Sequence, residues 1–188
     1  MGWGEWLGRW VLRFLLRYFP RFTNLMVQIL CDREIESVRK RIITFLLERL
    51  RHEIFPFTEG MNLSELRANL MLVQPDGQLL IAYYSGDYRA EELELKWKEG
   101  VGCCGMAWAN KEEYVTDVQH TQQLPLPYRE VVKHVGSVFS VPIRKRVTEG
   151  WVGVLNVDAL KPLAFSHLDD IKVREIIIRY ASGIGLLY

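Results

Sequence analysis

Cysteine is scarce in this chain and badly spaced for the roles it usually fills. Cys31, Cys103 and Cys104 are the three among 188 residues. They make no disulfide framework, and no CxxC or paired Cys/His spacing is present to hold zinc. A reducing compartment is the simpler setting. Long hydrophobic runs are missing as well. A spanning helix needs roughly 20 largely uncharged residues. Arginines interrupt the N-terminal apolar run at every fourth position, and no small-residue cleavage site follows. Neither a membrane span nor a secretion leader is therefore expected. An excess of one charge is lacking too. The formal net charge is +1, so the molecule as a whole is no polyanion binder by charge alone. There is no internal repeat and no low-complexity segment. These absences point to a cytoplasmic protein.

Apolar residues make up 49% of the chain, enough for a packed core and too many for a disordered one. The length accommodates one domain plus an extension. The near-neutral charge hides an asymmetry. Residues 1–56 carry ten Lys/Arg against six Asp/Glu, and residues 57–188 carry fourteen against seventeen. The basic excess belongs to the N-terminal part.

Residues 1–22 read as an amphipathic helix over 3–19, ended or bent by Pro20. Arg9, Arg13 and Arg17 form one narrow stripe. Trp3, Trp6, Leu7, Trp10, Val11, Phe14, Leu15 and Tyr18 cover most of the rest. Two readings follow. Rings at headgroup level with guanidinium groups on lipid phosphates suit an anionic membrane surface, at about 1 kcal/mol per charge. A helix apolar on most of its circumference equally suits a bundle with a partner. Trp6, Arg9, Trp10, Arg13 and Arg17 are the residues that would make either contact. Nucleic acid is not expected, because the aromatics share one apolar helix rather than alternating with cations along a groove.

Residues 23–57 form a second segment, with a helix from about Asn24 to Glu53. Ile35, Val38, Ile42, Phe45/Leu46 and Leu50 follow helical spacing. Phe55-Pro56-Phe57 ends it, and a linker over 58–63 opens the third segment, 58–188. A strand is expected over Leu66–Val73, a turn at Gln74-Pro75-Asp76-Gly77, and a returning strand over Gln78–Tyr84. Glu91–Lys98, where Leu93, Leu95 and Trp97 alternate with charged residues, reads as a third strand. A short helix follows over Val101–Asn110, a strand over Tyr114–Val118 and a helical turn over Tyr128–Lys133. Ser137 to Asp158 is a β-hairpin: SVFSVPI, a charged Gly-ended turn, then WVGVLNVD. A last helix starts at Ser166, with Asp169 as capping partner. The fold class is α/β of the α+β type, a mainly antiparallel sheet with helices packed on it.

Gly100-Val101-Gly102-Cys103-Cys104-Gly105 spells GxGxxG. A dinucleotide fold would need it to open a long crossover helix with an acid about 20 residues on. This helix ends near Asn110, and Asp117 comes too early, so that reading fails. The order of pieces, EGVGCCGMAW, then SVFSVPI, then WVGVLNVD and Phe165-x3-Asp169-Asp170, resembles a GAF domain over roughly residues 60–188. That resemblance implies a small-molecule receptor whose pocket lies beside the Gly100–Gly105 turn. It implies Cys103, Cys104, Trp108, Asp117, Tyr128, His134, Ser137, Phe139 and Asp158 as pocket residues, with His120 nearby. It also implies dimerisation through flanking helices and an output in a separate signalling protein. The bland readings are core cysteines, surface histidines, and a staple and cap at Phe165 and Asp169.

GAF proteins that reduce free methionine-R-sulfoxide carry a similar GxCG turn, and Cys104-Gly105 falls on it. Their catalytic cysteine, in the loop before the hairpin, has no counterpart after Gly105. Leu93–Lys98 lacks the further partner cysteine. Asp158 matches one substrate-binding acid, but Asn156 replaces the other. The cyclic-nucleotide motif is half present, with Ala159-Leu160 where an Asn-Lys pair would stand. No cysteine is followed by His, as a bilin attachment would require. The chain is therefore expected to be no enzyme. It reads as a regulatory module with a small-molecule ligand of unspecified chemistry, a homodimer, and a protein that is cytoplasmic or peripheral to the inner membrane face. The alternative is an interaction module whose pocket binds nothing.

Overall fold

The computed structural model describes residues 20–58, 60–117, 123–146, 149–160 and 171–188. The expected helix over 3–19, with Trp6, Arg9, Trp10, Arg13 and Arg17, lies outside them. So do His120 and the Phe165–Asp170 segment. The chain divides into two compact units, residues up to Arg41 and Ile42–Tyr188. Helix α1, Pro20–Ile54, runs from one unit into the other. In the first unit Ile35 and Val38 are exposed, and Arg39 pairs with Glu36 at 2.6 Å.

The second unit is built on a five-stranded sheet: β1 (Leu66–Val73), β2 (Leu79–Ser85), β3 (Tyr114–Asp117), β4 (Ser137–Arg144) and β5 (Trp151–Ala159). The strand order is β2-β1-β5-β4-β3, and every pairing is antiparallel. The β1–β2 and β4–β5 connections are hairpins, as Pro-Asp-Gly and the charged turn dictate. Between strands lie α2 (Ala90–Glu94), α3 (Gly102–Asn110) and α4 (Tyr128–Val132), and α5 (Ile171–Gly185) follows β5.

Strand alternation separates the two faces of the sheet. Leu66, Ala68 and Leu70 of β1, Phe139, Val141 and Ile143 of β4, and Leu155, Val157 and Ala159 of β5 pack in one core. That core also takes Ile43, Leu47, Leu50 and Ile54 of α1 and Val173, Ile176, Ile177, Ala181 and Ile184 of α5. The α1 face that packs is therefore a 4-3-4 spacing one step round from the expected stripe, while Ile42 and Phe45 are exposed. The intervening residues Arg67, Asn69, Met71, Val154, Asn156 and Asp158 occupy the opposite face, where a second cluster gathers Met71, Leu79, Trp97, Cys104, Ala107, Tyr128 and Val154.

Arg51 fixes the end of α1 to the sheet. Its Nε donates to the Leu66 carbonyl at 2.7 Å, Nη2 to the Leu63 carbonyl at 2.8 Å and Nη1 to Ser85 Oγ at 2.9 Å. Ser85 Oγ in turn donates to Glu48. That bond, with help from Arg51 and His52 against a desolvation cost, holds the Glu48 carboxyl below its usual range.

The expected third strand over 91–98 is corrected by the structure. Ala90–Glu94 is a helical turn whose N-terminal amide, Arg89 N–H, donates to Glu92 Oε2 at 2.9 Å. Only Trp97 pairs with the sheet, as an isolated bridge to Leu79 with two 2.8 Å hydrogen bonds. The side-chain bond of Glu92 to the helix start and its burial outweigh a short alternating pattern.

Candidate functional site

The second face of the sheet carries a cavity. It is bounded by Arg67, Asn69 and Met71 of β1, Ile81 of β2, Val138 of β4, Asn156 and Asp158 of β5, and the first turn of α3. Tyr88, Glu92, Leu95 and Trp97 close another side, and Leu124, Val132 and Val135 complete it. A water-sized sphere sweeps ≈ 70 Å³ inside it, room for a few non-hydrogen atoms.

Two glycines set the α3 wall. Gly102 has φ +66, and a Cβ there would stand 2.5 Å from Cζ3 of Trp97. A Cβ at Gly105 would stand 2.4 Å from the Lys98 carbonyl oxygen. Gly102 and Gly105 thus let α3 pack closely on the Trp97–Gly100 segment. Trp97 stacks in turn on Tyr128, ring centroids 4.9 Å apart.

At one end of the cavity a buried polar network converges. Arg67 and Asp158 are directly opposite across β1 and β5, and Arg67 Nε donates to Asp158 Oδ1 at 2.6 Å. Arg67 Nη2 and Nη1 reach Glu92 Oε1 and Oε2 at 2.9 and 3.2 Å, and Nη1 also donates to the Asp87 carbonyl at 2.9 Å. The guanidinium lies 4.2 Å from the centroid of the Tyr88 ring. Tyr88 Oη donates to Asp158 Oδ2 at 3.2 Å and accepts from Asn69 Nδ2 at 3.0 Å. The chain continues along one sheet row: Asn156 Nδ2 donates to Asn69 Oδ1 at 2.9 Å, and Ser140 Oγ to Asn156 Oδ1 at 2.6 Å. Arg67 is 1% exposed.

This burial opposes the charge on Arg67, but Asp158, Tyr88 and the hydrogen bonds to Asp158 and Glu92 outweigh it and hold the guanidinium ionised. Burial, reinforced by Asp158, holds the Tyr88 phenol well above its ordinary value, so it stays a donor. His134 Nε2 stands 3.3 Å from Glu92 Oε2. Its pKa is lowered, because desolvation, helped by Arg67 and Arg89, outweighs Glu92 and Asp158. Its Nδ1 and the Ser137 hydroxyl are buried with no partner among the described residues.

Three of the sequence-selected pocket residues line the cavity: Cys103, Cys104 and Asp158. His134 touches its polar end, and Tyr128 backs Trp97. Trp108 sits instead under Lys111, whose Nζ is 3.1 Å from the ring centroid. Phe139 lies in the core on the other face of the sheet. Asp117 ends β3, and its side chain lies outside the described residues. Arg67, Asn69, Tyr88, Glu92 and Asn156 are cavity residues that sequence reasoning misses. Arg67 and Asn69 do interrupt an apolar strand at alternate positions, a signal consistent with either solvent or a polar cavity.

Cys103 Sγ donates to the Tyr114 carbonyl at 3.0 Å. Burial, and secondarily Cys103, pushes the Cys104 thiol far up, whereas reactive cysteines have lowered values. Among the described residues no cluster of His, Cys, Asp and Glu could hold a metal, and no helix is long and apolar enough to cross a membrane.

No protein-family model and no curated protein matches the chain. Solved structures do. The GAF domain region of a Geobacter sulfurreducens protein superposes with TM-score 0.59 at 19% identity, over 83% of this chain and 96% of that one. A type II free methionine-R-sulfoxide reductase from Thermoplasma acidophilum gives 0.58 at 15% identity, over 82% and 97%. The fRMsr of Staphylococcus aureus in complex with substrate gives 0.51 at 19%, over 80% and 94%. A GAF domain region and two reductases share one architecture, so the likeness speaks to fold and leaves activity to the site itself. The sheet order, the helices on it and these neighbours together show that the chain has a GAF-like fold.

Proposed function

We propose that this protein is a sensory or regulatory module that holds a small molecule in the cavity beside α3 and performs no chemistry on it. One observation carries the reading. A mainly apolar cavity has a polar end in which Arg67, Asn69, Asn156 and Asp158, alternate residues of two adjacent strands, hydrogen-bond to one another and to Tyr88 and Glu92. Such an arrangement orients a ligand and costs stability if it serves nothing. The thiols support binding over redox chemistry, since one is held by a carbonyl and the other is kept protonated by burial.

The N-terminal helices supply the output, by dimerisation or by docking at an anionic membrane surface. On α1 the exposed Ile35 and Val38 in the first unit and Ile42 and Phe45 in the second continue one 3-4-3 spacing in sequence. That pattern favours a partner helix. It also supports a second reading, in which the chain is an interaction module and the cavity stays empty. A separate protein would then carry any response.

Native followed by denaturing mass spectrometry of the freshly purified chain tests the first reading. A stoichiometric small molecule is expected, and it should be lost from Val138→Phe, which fills the cavity. A molecule retained by Val138→Phe would place binding elsewhere. A bare mass, with no thermal stabilisation by any member of a small-molecule panel, would leave the interaction module. Turnover of free methionine sulfoxide, abolished by Cys104→Ser, would overturn the non-enzymatic reading.

A further inference from the structure

Arg67 is placed as a bound cation would be. Its guanidinium is held by two carboxylates, one of them through a paired contact, and lies against an aromatic ring. That combination is what proteins use to recognise guanidinium and ammonium ligands. Every oxygen of the two carboxylates already accepts a hydrogen bond, and the Arg67 guanidinium occupies the position between them that a second cation would need. Glu92 Oε1 is taken by Nη2 of Arg67, and Oε2 by Nη1 and the Arg89 amide. Asp158 Oδ1 is taken by Nε of Arg67, and Oδ2 by the Tyr88 hydroxyl. One face of the Tyr88 ring is covered by the same guanidinium.

The remainder of the cavity lining is apolar or amide-bearing. Each amide nitrogen of Asn69 and Asn156 has two N–H groups, and one of each is spent, on the Tyr88 hydroxyl and on Asn69 Oδ1 respectively. What the cavity still has to give is apolar contact and N–H donors.

We propose that Arg67 is the cavity's built-in cation. The cavity therefore takes an uncharged, hydrogen-bond-accepting small molecule and refuses ammonium and guanidinium compounds. Shortening Arg67 converts the same recess into a cation site. The ligand clause rests on the binding reading above, whereas the placement of Arg67 stands without it.

The test uses the full chain and its Arg67→Ala variant, titrated by calorimetry with ethylguanidinium, which replaces the atoms removed. Both proteins are also titrated with isobutylammonium and its uncharged counterpart isobutyramide. The expected result is a saturable one-to-one site for ethylguanidinium in Arg67→Ala, at least about tenfold tighter than any in the parent protein. Adding Asp158→Asn and Glu92→Gln to Arg67→Ala should abolish it. The parent protein should bind isobutyramide in preference to isobutylammonium.

Absence of the new site in folded Arg67→Ala overturns the proposal. So does a parent protein that binds isobutylammonium as tightly as isobutyramide. If the parent binds neither while Arg67→Ala takes ethylguanidinium, the built-in cation stands and the ligand-binding reading falls. If Arg67→Ala does not fold alone, two measurements replace the titration. One is recovery of its folded signal by ethylguanidinium against equal tetramethylammonium chloride. The other is ethylguanidinium binding by Arg67→Met. Failure of both overturns the proposal.

Discussion

Replacing Gly102 with alanine should be among the most damaging single-methyl additions in the molecule, and the structure says by how much. Two costs add. The residue has φ +66, a left-handed conformation that costs an L side chain roughly 1–2 kcal/mol. The new Cβ would also stand 2.5 Å from Cζ3 and 3.2 Å from Cε3 of the Trp97 ring. That ring has little freedom to retreat. Trp97 is 7% exposed, its backbone makes both hydrogen bonds to Leu79, and its far side meets Tyr128. Overpacking of this kind costs about 1–3 kcal/mol. The expected total is about 2–5 kcal/mol, read as a fall in the midpoint of urea unfolding at unchanged slope. Gly77→Ala is the control. Gly77 has φ +79, and a Cβ there would meet nothing within 4 Å, so it should show the backbone cost alone. The difference between the two variants isolates the crowding. If Gly102→Ala were no worse than Gly77→Ala, Trp97 would not be seated against α3, and the cavity wall as described would be wrong.

Three further outcomes follow from the same contacts. Arg51→Lys keeps the charge but cannot serve the Leu63 and Leu66 carbonyls and Ser85 together; it should cost about 2 kcal/mol and speed hydrogen exchange at the end of α1, and unchanged exchange would refute the clamp. His134 has a folded pKa below the ordinary value of 6.5. Below that pH the unfolded chain binds the proton more readily, so His134 contributes stability above pH 6.5 that is lost as pH falls through the folded value; unfolding followed from about pH 5 to about pH 8 should show a slope that His134→Asn flattens. Brief maleimide treatment of the native chain should label the exposed Cys31 and spare buried Cys103 and Cys104; comparable labelling of Cys104 would contradict its raised pKa.

The strands are legible in the sequence because each lies between strong punctuation. Leu66–Val73 has a linker before it and Pro-Asp-Gly after it, which leave no other length. The hairpin of β4 and β5 is equally plain. The sheet order follows less directly, since β5 inserts between β1 and β4 through pairings distant in sequence. Segment 91–98 misleads because Leu95 and Trp97 do alternate, while the deciding contact, Glu92 with Arg67, lies across the fold. On α1, Ile42 and Ile43 are adjacent, and periodicity alone does not say which of two neighbouring apolar stripes meets the sheet.

The site is half legible for a related reason. Cys103, Cys104 and Asp158 come from the order of motifs. Arg67, Asn69 and Asn156 sit in strands whose polar positions have the same spacing whether they face water or a cavity. Tyr88 and Glu92 lie in a loop and a short helix, where no periodicity exists to assign a side. Only the register, which sets Asn69 beside Asn156 and Arg67 beside Asp158, turns scattered polar residues into one network.

The clamp at the end of α1 and the network in the cavity meet at a single peptide group. Arg51 grips the Leu66 carbonyl, and the nitrogen of that same rigid plane belongs to Arg67. The sheet is one chain thick there, and the two guanidinium groups work on it from opposite sides. That peptide is in effect the fulcrum of a lever. Anything that shifts the Arg67 backbone from within the cavity therefore bears on the same plane that Arg51 holds from the helix.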